Sequence, residues 1–306
     1  MRKFFKSILL FAMVVLIVYP FLIFLAGYFP IPQALKPNLS YRIVSSGYMF
    51  TRIKEAKQLN SNLDILFLGS SHSYRGFDPR NFRGKNTFNL GSSSQTPIQT
   101  KILLERYLSS LKPKMVIYEV YPGSLSMDGV ESSLDLIAND KNDFKSIKMA
   151  FELNNIKIYN TLIYAGIEDI FNINKNNVGP IKQGKDTYIS GGFVESEIRY
   201  YKFATPSTQE WNLKEKQLKV FNECIELLKK RNIKTILVYA PITAGLYNSY
   251  KNNDFVDSIF SSYQLEYLNF NKLIKLNDSL HFYDAHHLNQ NGVELFNKKL
   301  IEILNL

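Results

Sequence analysis

The chain has 306 residues, 45% hydrophobic and 21% charged, which excludes a largely disordered protein, and 15 Gly with 11 Pro exclude a collagen-like or linker-rich one. The single cysteine, Cys224, excludes an internal disulfide and a multi-cysteine zinc site, and only four histidines argue against a His-rich metal centre, so no metal or cofactor is expected. The formal charge of +10 comes without a long basic block or a nucleic-acid motif, so no nucleic-acid partner is expected; an anionic polymer or membrane surface suits the charge better.

The first predicted element is a membrane segment. Ser7 to Tyr28 is almost wholly apolar, and about 20 such residues span a bilayer core as a helix. Pro20 lies inside it, which membrane helices tolerate. Arg2, Lys3 and Lys6 precede it, so the positive-inside rule holds the N-terminus in the cytoplasm. The apolar run is longer than the roughly 7–15 residues of a signal-peptide core, and no clean A-x-A cleavage site follows. The only cysteine is too distant for a lipoprotein signal. The expectation is an uncleaved single-pass anchor in the cytoplasmic membrane (1–29), a juxtamembrane tether (30–60), and an extracytoplasmic domain (61–306) with an insertion at about 124–210.

Within the tether, Tyr48 to Leu59 has helical character. Beyond it, short apolar runs that end in Gly or Pro alternate with helical stretches. Strands are predicted at Asp64–Gly69, Asn86–Gly91, Met115–Pro122, Thr235–Pro241 and Leu265–Phe270. Helices are predicted from Pro97 to Leu111, with Pro97 in the first turn, and around Leu218, Phe221, Ile225 and Leu228, which share one face. Lys229, Lys230 and Arg231 end that helix, where cations complement its dipole, and Cys224 flanks its apolar face as a small buried hydrophobe. A last helix runs from about Asn291 to Leu304. The alternation implies an α/β fold: a three-layer α/β/α sandwich around a mainly parallel sheet. The insertion, rich in Asn, Asp, Lys and Ser, breaks this pattern; some helix is expected over Phe144–Phe171, and the segment is expected to lie over one edge of the sheet.

Three short motifs carry chemistry. Gly69-Ser70-Ser71-His72 follows the first strand, at the sheet end where open parallel sheets place ligands, and a tight turn there exposes a serine hydroxyl. Asn89-Leu90-Gly91-Ser92 follows the second strand, and a glycine there can aim its N–H at a developing oxyanion. Asp284-Ala285-His286-His287 precedes the final helix. An Asp three residues before a His can turn its carboxylate back onto the imidazole, as a Ser-His-Asp arrangement requires. That spacing favours His287 over His286 as the base, leaving His286 structural or lining the pocket.

Taken together and in this order, the motifs resemble the SGNH hydrolase superfamily, also called GDSL esterases. The match is carried by Gly69-Ser70-Ser71, Gly91 and Asp284-Ala285-His286-His287, continuing into Leu288-Asn289-Gln290-Asn291-Gly292, over about residues 62–125 and 233–306. The resemblance implies Ser71 as nucleophile, His287 as general base and Asp284 as its orienting partner. It implies an oxyanion hole from the N–H groups of Ser71 and Gly91. The family's Asn after the third strand is missing, since that place reads Glu119-Val120-Tyr121-Pro122-Gly123; Tyr121 or a backbone N–H is left as substitute donor. An anchored domain with Gly-Ser-Ser resembles the sub-group of alginate O-acetylation and lipoteichoic-acid D-alanylation proteins. It implies an esterase or O-acyltransferase whose substrate is an acylated glycan or envelope polymer, acting beside a polytopic membrane acyltransferase. The alternative is a non-catalytic SGNH-like glycan-binding or scaffold module of an export complex.

Overall fold

The computed structural model describes residues 1–29, 47–59, 62–173, 178–202 and 206–306. Most of the tether expected at 30–60 therefore lies outside the described residues; of it, α2 (Met49–Gln58) is a helix. The chain divides into two compact units, one of residues 1–45 and 133–178, the other of 46–132 and 179–306.

The second unit holds a five-stranded sheet of β1 (Ile65–Leu68), β2 (Thr87–Asn89), β3 (Met115–Glu119), β7 (Lys234–Tyr239) and β8 (Glu266–Asn269). Their spatial order is 2-1-3-7-8 and every pairing is parallel. The architecture is α/β with helices on both faces, as the alternation predicts. Each strand stops one to three residues short of the predicted end, because the terminal Gly, Pro and polar residues turn away. Alternate side chains serve opposite faces. Ile65, Phe67, Ile117, Ile236 and Val238 pack with Phe77, Phe82, Phe270 and Phe296 on one side. On the other, Tyr118 meets Phe221 of α9 (Glu215–Lys230), with ring centroids 5.2 Å apart. That layer also contains α4 (Pro97–Leu111), and the Cys224 thiol is fully buried against the Pro97 carbonyl.

The first layer holds α3 (Ser71–Gly76) and α14 (Gln290–Leu304), which Asn297 ties together. Its amide donates to the carbonyl of Gly76 at 2.6 Å and accepts from the N–H of Asp78 at 3.1 Å. Shorter helices α5 (Pro122–Ser126), α10 (Ala244–Ser249), α11 (Asn253–Ser261), α12 (Phe270–Leu273) and α13 (Asp278–His281) complete the unit.

Part of the insertion forms a sheet that the sequence reading did not anticipate: β4 (Lys182–Gln183), β5 (Asp186–Ile189) and β6 (Phe193–Ser196), all antiparallel. It meets the edge strand β2 through the Gly191–Gly192 turn, whose Gly191 carbonyl accepts from Asn89 N–H at 2.8 Å. Gly192 has φ +86°, and a Cβ there would sit 2.3 Å from the Asn89 carbonyl oxygen, so the approach requires glycine. Fully buried Arg52 of α2 clamps the same turn, donating to the carbonyls of Gly192 and Gly47.

The first unit consists of α1 (Arg2–Tyr28), the later turns of α6 (Val130–Asn139), α7 (Phe144–Leu153) and α8 (Ile156–Ile170). The helical stretch expected over Phe144–Phe171 is thus two helices. Asn154 takes a left-handed φ of 44° and ends α7, and the Asn155 side chain then caps α8 by accepting from Lys157 N–H.

Candidate active site

β1 and β3 are the two strands at which the chain order reverses, and ligands of open α/β sheets bind at that point, outside the carboxyl ends. Gly69 and Ser70 leave β1 there. Gly69 has φ +132°, and a Cβ on it would lie 2.6 Å from Glu119 Oε2, so only glycine lets the turn pass the end of β3. Ser70 caps α3, its hydroxyl accepting from His72 N–H. Ser71 is the first residue of that helix, and its N–H donates to no group among the described residues, as expected of a first-turn amide.

The Asp284 loop is pinned from several sides. Tyr283 N–H donates to the His287 carbonyl, and Thr243 donates twice to the Ala285 carbonyl. Asn289 caps α14. One Asp284 oxygen accepts the N–H groups of both His286 (2.8 Å) and His287 (2.7 Å). The same carboxylate lies 2.9 and 3.0 Å from His287 Nδ1, and His287 Nε2 lies 2.8 Å from Ser71 Oγ. The structure therefore brings Ser71, His287 and Asp284 into one hydrogen-bonded chain. Burial opposes ionisation of Asp284, but the His287 ring and the two N–H groups outweigh it and hold its carboxyl well below the usual range. With that carboxylate as partner, His287 Nδ1 carries its proton and Nε2 is free to accept from the serine.

His286 takes no part in this chain: its Nδ1 lies 3.2 Å from the Tyr121 hydroxyl. His281 is also outside, its Nδ1 accepting from Asn277 N–H. Tyr121, one of the substitute oxyanion donors expected, has its hydroxyl in contact with His286. Gly91 does not offer the free N–H expected of it, because that group donates to Asn89 Oδ1 at 2.8 Å. Asn89 in turn accepts from the Ser73 hydroxyl and donates to the Ser73 carbonyl, locking the second motif to α3. Gly91 is still sterically required, since a Cβ there would sit 2.9 Å from that of Ser73.

Two residues that sequence reasoning did not assign complete the site. The His72 ring stacks on His287 (centroids 5.1 Å) and packs at a tilt against Tyr121 (4.2 Å), while Tyr283 stacks on His287 at 5.5 Å. Burial, and the nearby His287 and His286, keep His72 far below the ordinary histidine range and hence neutral. Burial and His287 likewise depress His286. Glu119 is buried at the end of β3 and accepts from both the N–H (2.9 Å) and the hydroxyl (2.8 Å) of Ser70, whose oxygen lies 3.1 Å from His72 Nδ1. Burial pushes the Glu119 carboxyl up to about 7 against these hydrogen bonds. The signals were present: His72 is the one histidine outside 281–287, and Glu119 stands beside the missing Asn. Only the fold shows what they touch.

The surface beyond the ends of β7 and β8 is concave. A groove of about 480 Å³ is lined there by Pro241, Tyr247, Asn248, Asn271 and Lys272, and Pro241 also borders the small cleft at His286 and His287. Among the described residues, no cluster of three or more His, Cys, Asp or Glu side chains is placed to hold a metal ion.

No protein-family model matches this sequence, and no curated protein matches it. Several solved structures are similar at low identity. A protein described as an acylhydrolase from Bacteroides fragilis has 11% identity and a TM-score of 0.43, over 82% of this chain and 93% of its own. A lipolytic protein of the G-D-S-L family from Desulfitobacterium hafniense has 13% identity and a TM-score of 0.41, over 79% and 99%. A GDSL-like lipase from Bacteroides thetaiotaomicron has 11% identity and a TM-score of 0.41, over 84% and 98%.

Proposed function

We infer that this chain is an SGNH-type serine acyl esterase or O-acyltransferase, anchored in the cytoplasmic membrane by α1 and acting outside it on an acylated envelope or secreted polysaccharide. The observation that carries the chemistry is the unbroken chain Asp284–His287–Ser71, with contacts of 2.9 and 2.8 Å. In the first step Ser71 Oγ attacks the acyl carbonyl carbon while His287 Nε2 takes its proton. Asp284 stabilises the imidazolium, and the Ser71 N–H is the free donor available to the oxyanion. Collapse of the tetrahedral species breaks the ester C–O bond, and His287 returns the proton to the departing sugar hydroxyl. Water, or a second sugar hydroxyl, then resolves the acyl-serine by the reverse steps.

Turnover of acetyl esters by the full chain tests this reading. Ser71→Ala and His287→Ala are each expected to lower kcat/KM by at least about 10³-fold, because triad members act as a unit. His286→Ala is expected to retain most activity. Retained turnover in Ser71→Ala would overturn the reading.

The engagement of Gly91 N–H by Asn89 favours one second reading, a glycan-binding module without turnover. It requires polymer binding that survives Ser71→Ala with no esterase activity in the wild type.

A further inference from the structure

The outward face of α8 is apolar. Ile156, Tyr159, Ile163, Ile167 and Ile170 recur at i, i+3, i+7, i+11 and i+14, a single stripe of which no member is fully buried, with Ile163 at its edge packed on the Ile23–Tyr164 contact with α1. The inward face buries Ile158, Tyr164 and Ala165 together with Asn160, Thr161 and Glu168. A surface helix of a water-soluble protein keeps its outward face polar instead. The neighbouring α7 repeats the pattern: Phe144, Ile147 and Phe151 lie at i, i+3 and i+7, with Phe144 77% and Phe151 69% exposed. Lys141, Lys145, Lys148 and Lys157 flank these stripes.

What α8 packs against decides the partner. Tyr19 of α1 donates its hydroxyl to Asn160, Ile23 packs on Tyr164, and the Tyr164 ring lies where a Cβ on Gly27 would be, so the two helices approach through glycine. A small residue at the crossing and one interhelical hydrogen bond are the usual means by which helices associate in lipid. α1 has 27 residues with a mean hydropathy of 3.0 in its apolar window, long enough to cross a membrane. At about 1.5 Å per residue, Tyr19 to Gly27 covers roughly 12 Å of it, inside the apolar stretch and away from Arg2, Lys3 and Lys6. A helix held against that stretch sits at the depth of the hydrocarbon or its boundary. An apolar run too short to span, such as the 15 residues of α8, suits an interfacial or re-entrant position.

We propose that α7 and α8 form a second membrane contact: a helical hairpin whose isoleucine and phenylalanine stripes insert into the lipid leaflet beside α1, with its lysines at the phospholipid phosphates. The inference rests on α1 being an uncleaved anchor, and the experiment separates the two. The full chain is reconstituted in vesicles of phosphatidylcholine and phosphatidylglycerol, carrying one nitroxide label at Ile156→Cys, Ile167→Cys or Ile170→Cys. Further labels at Leu16→Cys in α1 and Lys298→Cys in α14 serve as lipid and water references. Cys224 stays unlabelled, since burial shields it and pushes its thiol far above the working pH. The expected result is a relaxation ratio, oxygen over a water-soluble nickel chelate, that is severalfold higher at all three α8 positions than at 298 and approaches the value at 16. Water-like ratios at α8 with a lipid-like ratio at 16 would overturn the hairpin and leave the anchor standing. A water-like ratio at 16 as well would overturn both. Protection of the α8 labels from oxygen and nickel alike would mean that a second copy of the chain covers the stripe, and would also overturn the proposal.

Discussion

Glu119 occupies the place where an amide donor was missed in the sequence, and its chemistry there is that of an acceptor. One carboxyl oxygen holds the N–H and hydroxyl of Ser70, the residue before Ser71, while Oε1 is buried without a partner among the described residues. Burial raises its folded pKa from 4.5 to about 7, so the folded state binds the proton more tightly than the unfolded chain. The contribution to stability is therefore fully present below about pH 4.5 and is lost as pH rises through 7. At 1.36 kcal/mol per unit, the loss is on the order of 3 kcal/mol. Glu119→Gln keeps an acceptor for Ser70 and cannot ionise. Thermal unfolding between pH 5 and 8.5 should show the wild type losing stability relative to the Gln variant as pH rises, while both curves share the upward slope that the buried His72 and His286 contribute. Parallel curves for the two proteins would contradict the assignment. Asp284 has the opposite sign: its carboxyl is depressed, so its contribution is present above the ordinary aspartate range and lost as pH falls.

At the scale of elements, helix α3, which carries Ser71, is only 6 residues long and owes its place to its neighbours. Asn297 is its buried link to α14, donating to the carbonyls of Gly76 and Val293 and accepting from Asp78 N–H. Asn297→Leu keeps the volume but strands the Gly76 carbonyl and the Asp78 amide, at a cost of about 2–4 kcal/mol. The check is thermal unfolding of the variant together with its ester turnover, and an unchanged melting temperature would contradict this account of α3. The five parallel strands were legible because each is an apolar run closed by glycine or a polar turn. The small sheet was not, since its residues alternate weakly in a polar stretch, with only Tyr188, Phe193 and Val194 buried. The break between α7 and α8 was written as Asn154-Asn155, a left-handed stop followed by a cap, but was read as part of one helical region. Of the candidate site, the three-residue spacing pairs Asp284 with His287, while Ser71 came from the resemblance; the structure places the three side chains in contact. The stacking of His72 and the Glu119–Ser70 contact depend on strand register, which no local pattern encodes, whereas the engagement of Gly91 by Asn89 is a contact two residues apart within one motif.

On the scale of the whole molecule, one unit carries the candidate membrane helix with its apolar hairpin, and the other carries the parallel sheet and the serine site. The two stretches that carry the sequence motifs, about 62–125 and 233–306, fall wholly in the second unit. The insertion contributes to both units, its 133–178 portion to the first and the small sheet to the second. The account's central claim is that Ser71 is a nucleophile activated by His287. A fluorophosphonate reacts with such a serine by forming an Oγ–P bond and expelling fluoride. The direct measurement is mass spectrometry of the full chain after exposure to the probe, followed by peptide mapping. The account predicts one adduct per chain, located on Ser71, absent in Ser71→Ala and strongly slowed in His287→Ala. An unmodified wild-type protein whose esterase substrate reaches the site, or an adduct on another serine that persists in Ser71→Ala, would contradict it.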